Sequence, residues 1–392
     1  MALRILIDAR HLRDFGIGTY IRNLVRALAC IDRENHYVLA CGKEGGAELA
    51  GLPGNFKIAR YERHDSDPLD DVAFPWFLRH FSADLYHIPL NAVSLAMPQP
   101  YVVTIHDMSS LMYDRQRDFW RRLRLYRFRR GLQRAEKVIA VSEATLRDVE
   151  DLFGILPERV RRIYNAPDPR FLEHKPAADA RSAGPEGHSR EVRRILERYQ
   201  IDYPFVLYTG SIRPQKNVPR LVEAFAVVRG QLETHPVYKD LRLIIIGDEL
   251  SRYPAVRRAV IQTRVEDVVR FLGFVPIDTL RVFYEAAAAF VFPSMYEGFG
   301  LPPLEAMASG TPVVSSNRSS LPEVVGDAAA LVNPENVFDI ARGIRDVLTD
   351  EQLRVSLIAR GYEQARRFSW ESTARQVLEV YEEVGRERKV LR

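Results

Sequence analysis

The chain holds only two cysteines, Cys30 and Cys41, in 392 residues. Neither stands in a Cys-x-x-Cys pair or a Cys/His cluster, which argues against a disulfide framework or structural zinc and for buried thiols in a reducing compartment. A long apolar run is also lacking. Nothing approaches membrane-spanning length, and the opening Leu3–Asp8 is too short for a signal-peptide core. The expectation is a cytoplasmic protein, with peripheral contact at the inner face of a membrane left open. Nor is there an excess of one charge: 56 basic against 52 acidic residues leave +4, too little for a nucleic-acid coat, so no nucleic-acid partner is expected. Short tandem repeats are absent.

What is present is alternation. Strand-type runs at Leu3–Ile7, Tyr37–Cys41, Asp84–His87, Tyr101–Ile105 and Lys137–Val141 are separated by helical patterns. A second set follows at Phe205–Tyr208, Leu241–Ile246, Val268–Leu272, Ala289–Phe292 and Pro312–Ser315. Such alternation predicts parallel sheets covered by helices, and the length suits two domains better than one. The fold class is therefore α/β, with two doubly wound domains at 1–172 and 201–367. Between them, 173–200 is expected as a flexible linker region, because residues 175–189 are rich in Pro, Gly, Ala and Ser and poor in large apolar residues.

The stretch from Ser294 to Met307 joins the strand run at Ala289–Phe292 to a helix that Pro303 suits at its start and Gly310 at its end. Glu297 then lies in a loop at the carboxyl end of a strand, and Glu305 is expected in the first helical turn. Ligands of open α/β sheets bind outside those strand ends, and helix N-termini favour anions, so a phosphate carrying a polar group is the expected guest. Earlier in the same half, Asn217 can cap a helix, which leaves Arg213 and Lys216 on a loop after the strand run at Phe205–Tyr208. Two cations held there suit a diphosphate, although plain surface charge fits the same residues.

Signals in the first half are more ambiguous. Gly16 and Gly18 lack the third glycine of a dinucleotide fingerprint, so a turn and a ligand loop fit equally. His106 ends a strand, where an imidazole titrating near neutrality can donate or accept a proton; structural and catalytic readings stand level. Asp65 and Asp67 form an Asp-x-Asp, a pattern that can hold a divalent ion under a nucleotide diphosphate. No apolar strand feeds it, so a solvated acidic loop is the better reading and no metal site is expected. From Arg115 to Arg134 arginines surround two apolar stripes, whereas a membrane-surface helix shows one broad apolar face. A packed helix with solvated arginines is favoured over an anionic-lipid or acceptor-phosphate patch. Ser142 and Ser320 both have N-cap spacing, Ser320 with Glu323 as a capping box.

Taken together, these motifs resemble retaining family 4 glycosyltransferases of the GT-B architecture, two Rossmann-like domains with parallel sheets facing across a cleft. The resemblance runs from Gly16–Tyr20 through Ile105–Asp107, Val141–Glu143, Gly210–Asn217 and Phe292–Gly310 to Phe368–Glu371. Its specific part is Glu297 and Glu305 within Glu-Gly-Phe-Gly-Leu-Pro-Pro-Leu-Glu-Ala-Met. It implies that Glu297 holds donor-sugar hydroxyls, Glu305 the ribose, and the backbone of Gly298, Phe299, Gly300 and Leu301 the sugar and diphosphate. Arg213 and Lys216 neutralise the leaving diphosphate without metal or other cofactor. Gly16 and Gly18 close on the donor from the other domain, His106 holds a sugar hydroxyl beside the reacting carbon, and Phe271–Val275 border the base. A last helix, within 368–392, crosses back to the first domain.

The chain departs from this pattern at Ser211, where arginine is usual, at Asn165-Ala166 before Pro167, where Asn-Gly is usual, and at the acidic Asp248 and Glu249, where small or basic residues are frequent and two acids near a diphosphate are unhelpful unless they bind hydroxyls or point away. Phrasing around both loops is similar to bacterial mannosyltransferases of polysaccharide assembly. The resemblance thus implies a hexosyltransferase, first GDP-mannose and second a UDP-hexose as donor, and a saccharide or lipid-linked saccharide as acceptor. A nucleotide-sugar epimerase or a non-catalytic nucleotide-sugar-binding protein would share the architecture.

Overall fold

The computed structural model describes residues 2–390 except 15, 43–44, 64–66, 68, 91–92, 113–118, 173–189 and 249–251. Asp65, Glu249, Arg115 and the loop at 175–189 lie outside the described residues. The chain divides into two compact units, Met1–Ala166 with Phe368–Arg392, and Pro167–Arg367. The helix Arg190–Arg198 belongs to the second.

In the first unit seven strands run β1 (Arg4–Asp8), β2 (His36–Cys41), β3 (Phe56–Arg60), β4 (Leu85–Ile88), β5 (Tyr101–Ile105), β6 (Lys137–Ala140) and β7 (Val160–Arg162). Their spatial order is β3-β2-β1-β4-β5-β6-β7, with every pairing parallel. The second unit has β8 (Phe205–Gly210), β9 (Arg242–Gly247), β10 (Val269–Gly273), β11 (Ala289–Phe292), β12 (Val313–Ser316) and β13 (Ala329–Val332). Here the order is β10-β9-β8-β11-β12-β13, again all parallel. Strand order reverses between β1 and β4 in one sheet and between β8 and β11 in the other. Those are the places where loops diverge and a crevice opens.

The runs read from the sequence all form strands, within two residues of the expected bounds. Strands β3, β7 and β13 were not expected. All three are sheet edges, short, and carry exposed or half-buried side chains, so they lack the continuous apolar run of a strand buried on both faces.

The helix Trp370–Val390 packs on the first unit against the helix Ile17–Ile31. Lys137 meets Glu383 at 2.6 Å, and the Thr373 hydroxyl donates to the Tyr164 carbonyl at 2.7 Å. Deeper in, His87 Nδ1 lies 2.5 Å from the Tyr381 hydroxyl and its Nε2 2.7 Å from Thr104 Oγ1, which also contacts the Tyr20 hydroxyl at 3.1 Å. Burial holds His87 near 3, so it is neutral there.

Ser142 is an N-cap, as its spacing predicts: its Oγ accepts from the Thr145 amide at 3.0 Å.

Candidate functional site

The second unit builds its site from loops that leave β8, β11 and β12. Strand β8 ends at Gly210, and the chain then makes a single 3-10 turn at Pro214–Lys216 before the helix Val218–Gln231. Asn217 stands at that helix start in the left-handed region (φ 61°) but makes no side-chain cap. Its Nδ2 donates instead to the carbonyls of Pro293 (3.1 Å) and Pro334 (2.6 Å), which ties the β8 loop to the loops after β11 and β13. The capping role expected for it is therefore replaced by a longer-range one: its Nδ2 serves two buried carbonyls, and its Oδ1 accepts from the Arg220 guanidinium at 3.0 Å.

Asp248, one of the acidic departures from the family pattern, is spent on the same loop. One of its oxygens accepts from the Ile212 amide (3.0 Å) and the Tyr253 hydroxyl (2.8 Å). At the departure point Ser211, the carbonyl accepts from the buried Tyr208 hydroxyl at 2.7 Å. The Arg213 side chain is exposed and has no ion pair among the described residues.

The β11 loop is gripped from two sides. Its Met295 amide donates to the Gln215 carbonyl at 2.7 Å. On the other side the Ser319 hydroxyl donates to the Glu297 carbonyl at 2.6 Å, and Ser320 Oγ reaches the carbonyls of Glu297 (3.0 Å) and Phe299 (2.5 Å). Ser320 thus makes no capping box; its hydroxyl serves the neighbouring loop. Gly300 follows at φ 135°, where an added Cβ would stand 3.0 Å from Leu321 Cδ2. The helix Leu301–Ala308 begins there. Pro302 and Pro303 have no N–H, so Leu301 is the donor left in its opening triplet.

These grips bring Glu297 and Lys216 together. Lys216 Nζ donates to both carboxylate oxygens, at 2.6 and 2.8 Å, with the two side chains 18% and 11% exposed. Nζ also lies 5.3 Å from the centre of the Phe292 ring.

Glu305 lies in the second turn of its helix, not the first as expected, since that helix starts at Leu301 rather than Pro303. Tyr284 donates to its Oε2 at 3.1 Å and sits 2.7 Å from Thr209 Oγ1. Burial raises the Glu305 carboxyl to about 7; Asp168 adds to the rise, while the Tyr284 hydrogen bond and Arg170 oppose it. Arg170 is held by a bidentate bond to buried Asp168, at 2.9 Å on each oxygen. Sequence reasoning missed Asp168, Arg170, Tyr284 and Ser319. An Asp-x-Arg two residues apart was the only local signal among them.

The first-unit candidates divide. An added Cβ on Gly18 would stand 2.2 Å from the Leu12 carbonyl oxygen, so backbone packing demands that glycine. Gly16, at φ 72°, faces open space and opens the helix Ile17–Ile31. His106 stands after β5 with Nε2 3.2 Å from the Pro89 carbonyl, its ring edge-on to Tyr20 at 4.8 Å. A carbonyl only accepts, so Nε2 carries the proton and Nδ1 is the acceptor nitrogen. Burial lowers His106 to about 4, with Asp107 opposing, which corrects the expectation of titration near neutrality.

After β10, Phe274 is 71% exposed. A cavity of about 340 Å³ lined by Arg257, Val260, Ile261, Glu266, Val269 and Phe271 opens nearby, and Glu297, Glu305, Arg213 and Lys216 are not among its lining residues. Among the described residues no group of three or more His, Cys, Asp or Glu side chains could hold a metal ion, and no helix is long and apolar enough to cross a membrane.

Two families match this chain: "Glycosyl transferases group 1" over residues 191–364 and "Glycosyltransferase Family 4" over residues 16–171. The chain is 33% identical over 313 residues to O-antigen chain mannosyltransferase B of Escherichia coli, covering 78% of this chain and 76% of that protein. It is also 31% identical over 250 residues to the serotype-specific mannosyltransferase WbdA of Escherichia coli, 64% of this chain but only 29% of that longer protein. Among solved structures, sucrose-phosphate synthase from Thermosynechococcus elongatus superposes with TM-score 0.74 at 22% identity, covering 97% of this chain and 99% of the other. HepE from Anabaena, in complex with UDP and glucose, gives TM-score 0.74 at 18% identity over 97% and 100% of the two chains.

Proposed function

The chain belongs to glycosyltransferase family 4, and on that premise we propose that it transfers mannose from GDP-mannose, with retention at the anomeric carbon and without metal, to a saccharide or lipid-linked saccharide acceptor. It is a hexosyltransferase of the GT-B fold. The observation that carries the finer reading is the Lys216–Glu297 pair at the strand-order reversal of the second sheet.

Before a donor arrives, the carboxylate of Glu297 and the ammonium of Lys216 satisfy each other. When it arrives, Glu297 accepts from sugar hydroxyls, and Lys216 turns to the diphosphate that Arg213 also faces. Two fixed cations then offset the charge that grows on the leaving group, a task that a metal performs elsewhere. Gly298, Phe299, Gly300 and Leu301 supply backbone to the sugar and diphosphate, and Glu305 accepts from the ribose. With the diphosphate leaving on the face the acceptor approaches, its oxygen takes the acceptor's proton, and no side chain is required as base. His106, neutral with Nδ1 as acceptor, meets a hydroxyl of the donor sugar. The mannosyltransferase names of the relatives support mannose and polysaccharide assembly. A cytoplasmic setting follows from the nucleotide sugar.

The test is transfer of labelled mannose from GDP-mannose to a membrane-derived saccharide acceptor, with EDTA present. Glu297→Ala and Lys216→Ala should each lose about 10²-fold or more. Near-normal turnover in both variants would overturn the assignment, and loss of activity in EDTA would remove the metal-free reading. Transfer from UDP-hexoses alone would replace the donor, and isomerised nucleotide sugar without acceptor would replace transfer by epimerisation.

A further inference from the structure

Behind Glu305 stands a chain of hydrogen bonds that begins two elements away. Thr209 lies near the end of β8, 4% exposed, with its Oγ1 2.7 Å from the Tyr284 hydroxyl. Tyr284 sits on the helix Ile277–Ala286, fully buried, and donates to Glu305 Oε2 at 3.1 Å. A carboxylate only accepts, so the tyrosine gives its one proton to Glu305, and its oxygen accepts from Thr209. The ring is wedged: Phe171 and Phe290 meet it edge-on, with ring centres at 5.6 and 5.4 Å. Its backbone is pinned as well, because the Thr311 hydroxyl donates to the Tyr284 carbonyl.

Glu305 keeps some exposure, and its Oε1 makes no hydrogen bond among the described residues. One oxygen is fixed inside the protein and the other is left over. The charged groups that face the carboxyl are Asp168 and Arg170, on the short helical turn Pro169–Leu172 and the residue before it, which pack against the same helix. Those two are bonded to each other through both carboxylate oxygens.

On the reading of Glu305 as the ribose holder, we propose that Tyr284 is a positioning residue: by holding Oε2 it aims Oε1 at the donor's ribose hydroxyls, while Thr209 keeps the tyrosine proton turned toward the carboxylate. Core packing alone asks only for the ring, which phenylalanine would supply. The hydroxyl adds a link from a strand, through one helix, to a carboxyl on the next. A hydrogen bond to the charged form of a carboxyl favours that form, so Tyr284 opposes the rise that burial imposes on Glu305. Without it the carboxyl keeps its proton to higher pH, and a protonated oxygen is the poorer acceptor for a ribose hydroxyl.

The test is calorimetric titration of GDP-mannose, whose diphosphate diester does not titrate near neutrality, into the full-length wild type and Tyr284→Phe from about pH 6 to about pH 8.5. Wild-type affinity is expected to rise with pH and level off above about 7, where Glu305 is ionised. In the Phe variant the levelling point moves up by about one unit, which leaves binding about fivefold weaker near pH 7, a gap that narrows as pH rises. On Glu305→Ala the same substitution changes nothing further, since Tyr284 then has no carboxyl to hold. Thr209→Val removes the donor to the tyrosine oxygen and keeps the ring in place; it moves the levelling point the same way by less, so the outcome does not depend on one variant folding. A levelling point shared by wild type and variants, or an equal loss on Glu305→Ala, overturns the role of Tyr284. A wild type that takes no GDP-mannose overturns instead the donor reading beneath it.

Discussion

Replacing Glu305 by Gln tests the reasoning about the buried carboxyl with little change of shape. Glutamine keeps an oxygen to accept from the Tyr284 hydroxyl and removes the charge. In the wild type burial raises this carboxyl from its ordinary 4.5 to about 7. The folded protein therefore holds a proton between those values that the unfolded chain has released. Stability from this group is fully present below about 4.5 and is lost as pH rises through about 7. The full difference is worth about 3 kcal/mol, of which about 2 kcal/mol falls between about pH 5 and pH 8. Urea unfolding of both proteins across that range should show the Gln variant gaining on the wild type by that amount as pH rises. Parallel pH dependences would refute the account, and a wild type that gained on the Gln variant with rising pH would reverse its sign.

Three further outcomes follow from the same geometry. Lys216→Met leaves the Glu297 carboxylate half-buried without its cation and should cost about 1–3 kcal/mol in urea unfolding, part of which Glu297→Gln on the same chain restores. Gly18→Ala, whose Cβ would meet the Leu12 carbonyl, should lower the melting temperature by more than Gly16→Ala, for which the left-handed backbone alone costs about 1–2 kcal/mol. Ser320→Ala frees the carbonyls of Glu297 and Phe299 from their shared donor; thermal unfolding should register a loss of about 1–2 kcal/mol, and a change near zero would show that the loop does not depend on it.

Where a strand is buried on both faces, as Val206–Tyr208 and Phe290–Phe292 are, its apolar run is continuous and its reading from sequence is secure. The edge strands β3, β7 and β13 are not legible that way, because half their surface faces outward. The candidate site divides similarly. Glu297, Lys216 and Arg213 were legible because strand ends and a helix start place them in loops. What Asn217 and Ser320 do was not: both have the chemistry of a helix cap, and both spend it on carbonyls of loops distant in sequence. Tyr284 reaches Glu305 from another helix, a relation that no local spacing carries.

The most direct measurement of the central claim is a calorimetric titration of GDP-mannose and of GDP into the wild type and Glu297→Ala. If Glu297 holds the sugar, the wild type prefers GDP-mannose, and the variant binds it at least about tenfold more weakly while binding GDP as before. No binding of GDP-mannose by the wild type, or equal affinity in both proteins, would contradict the account.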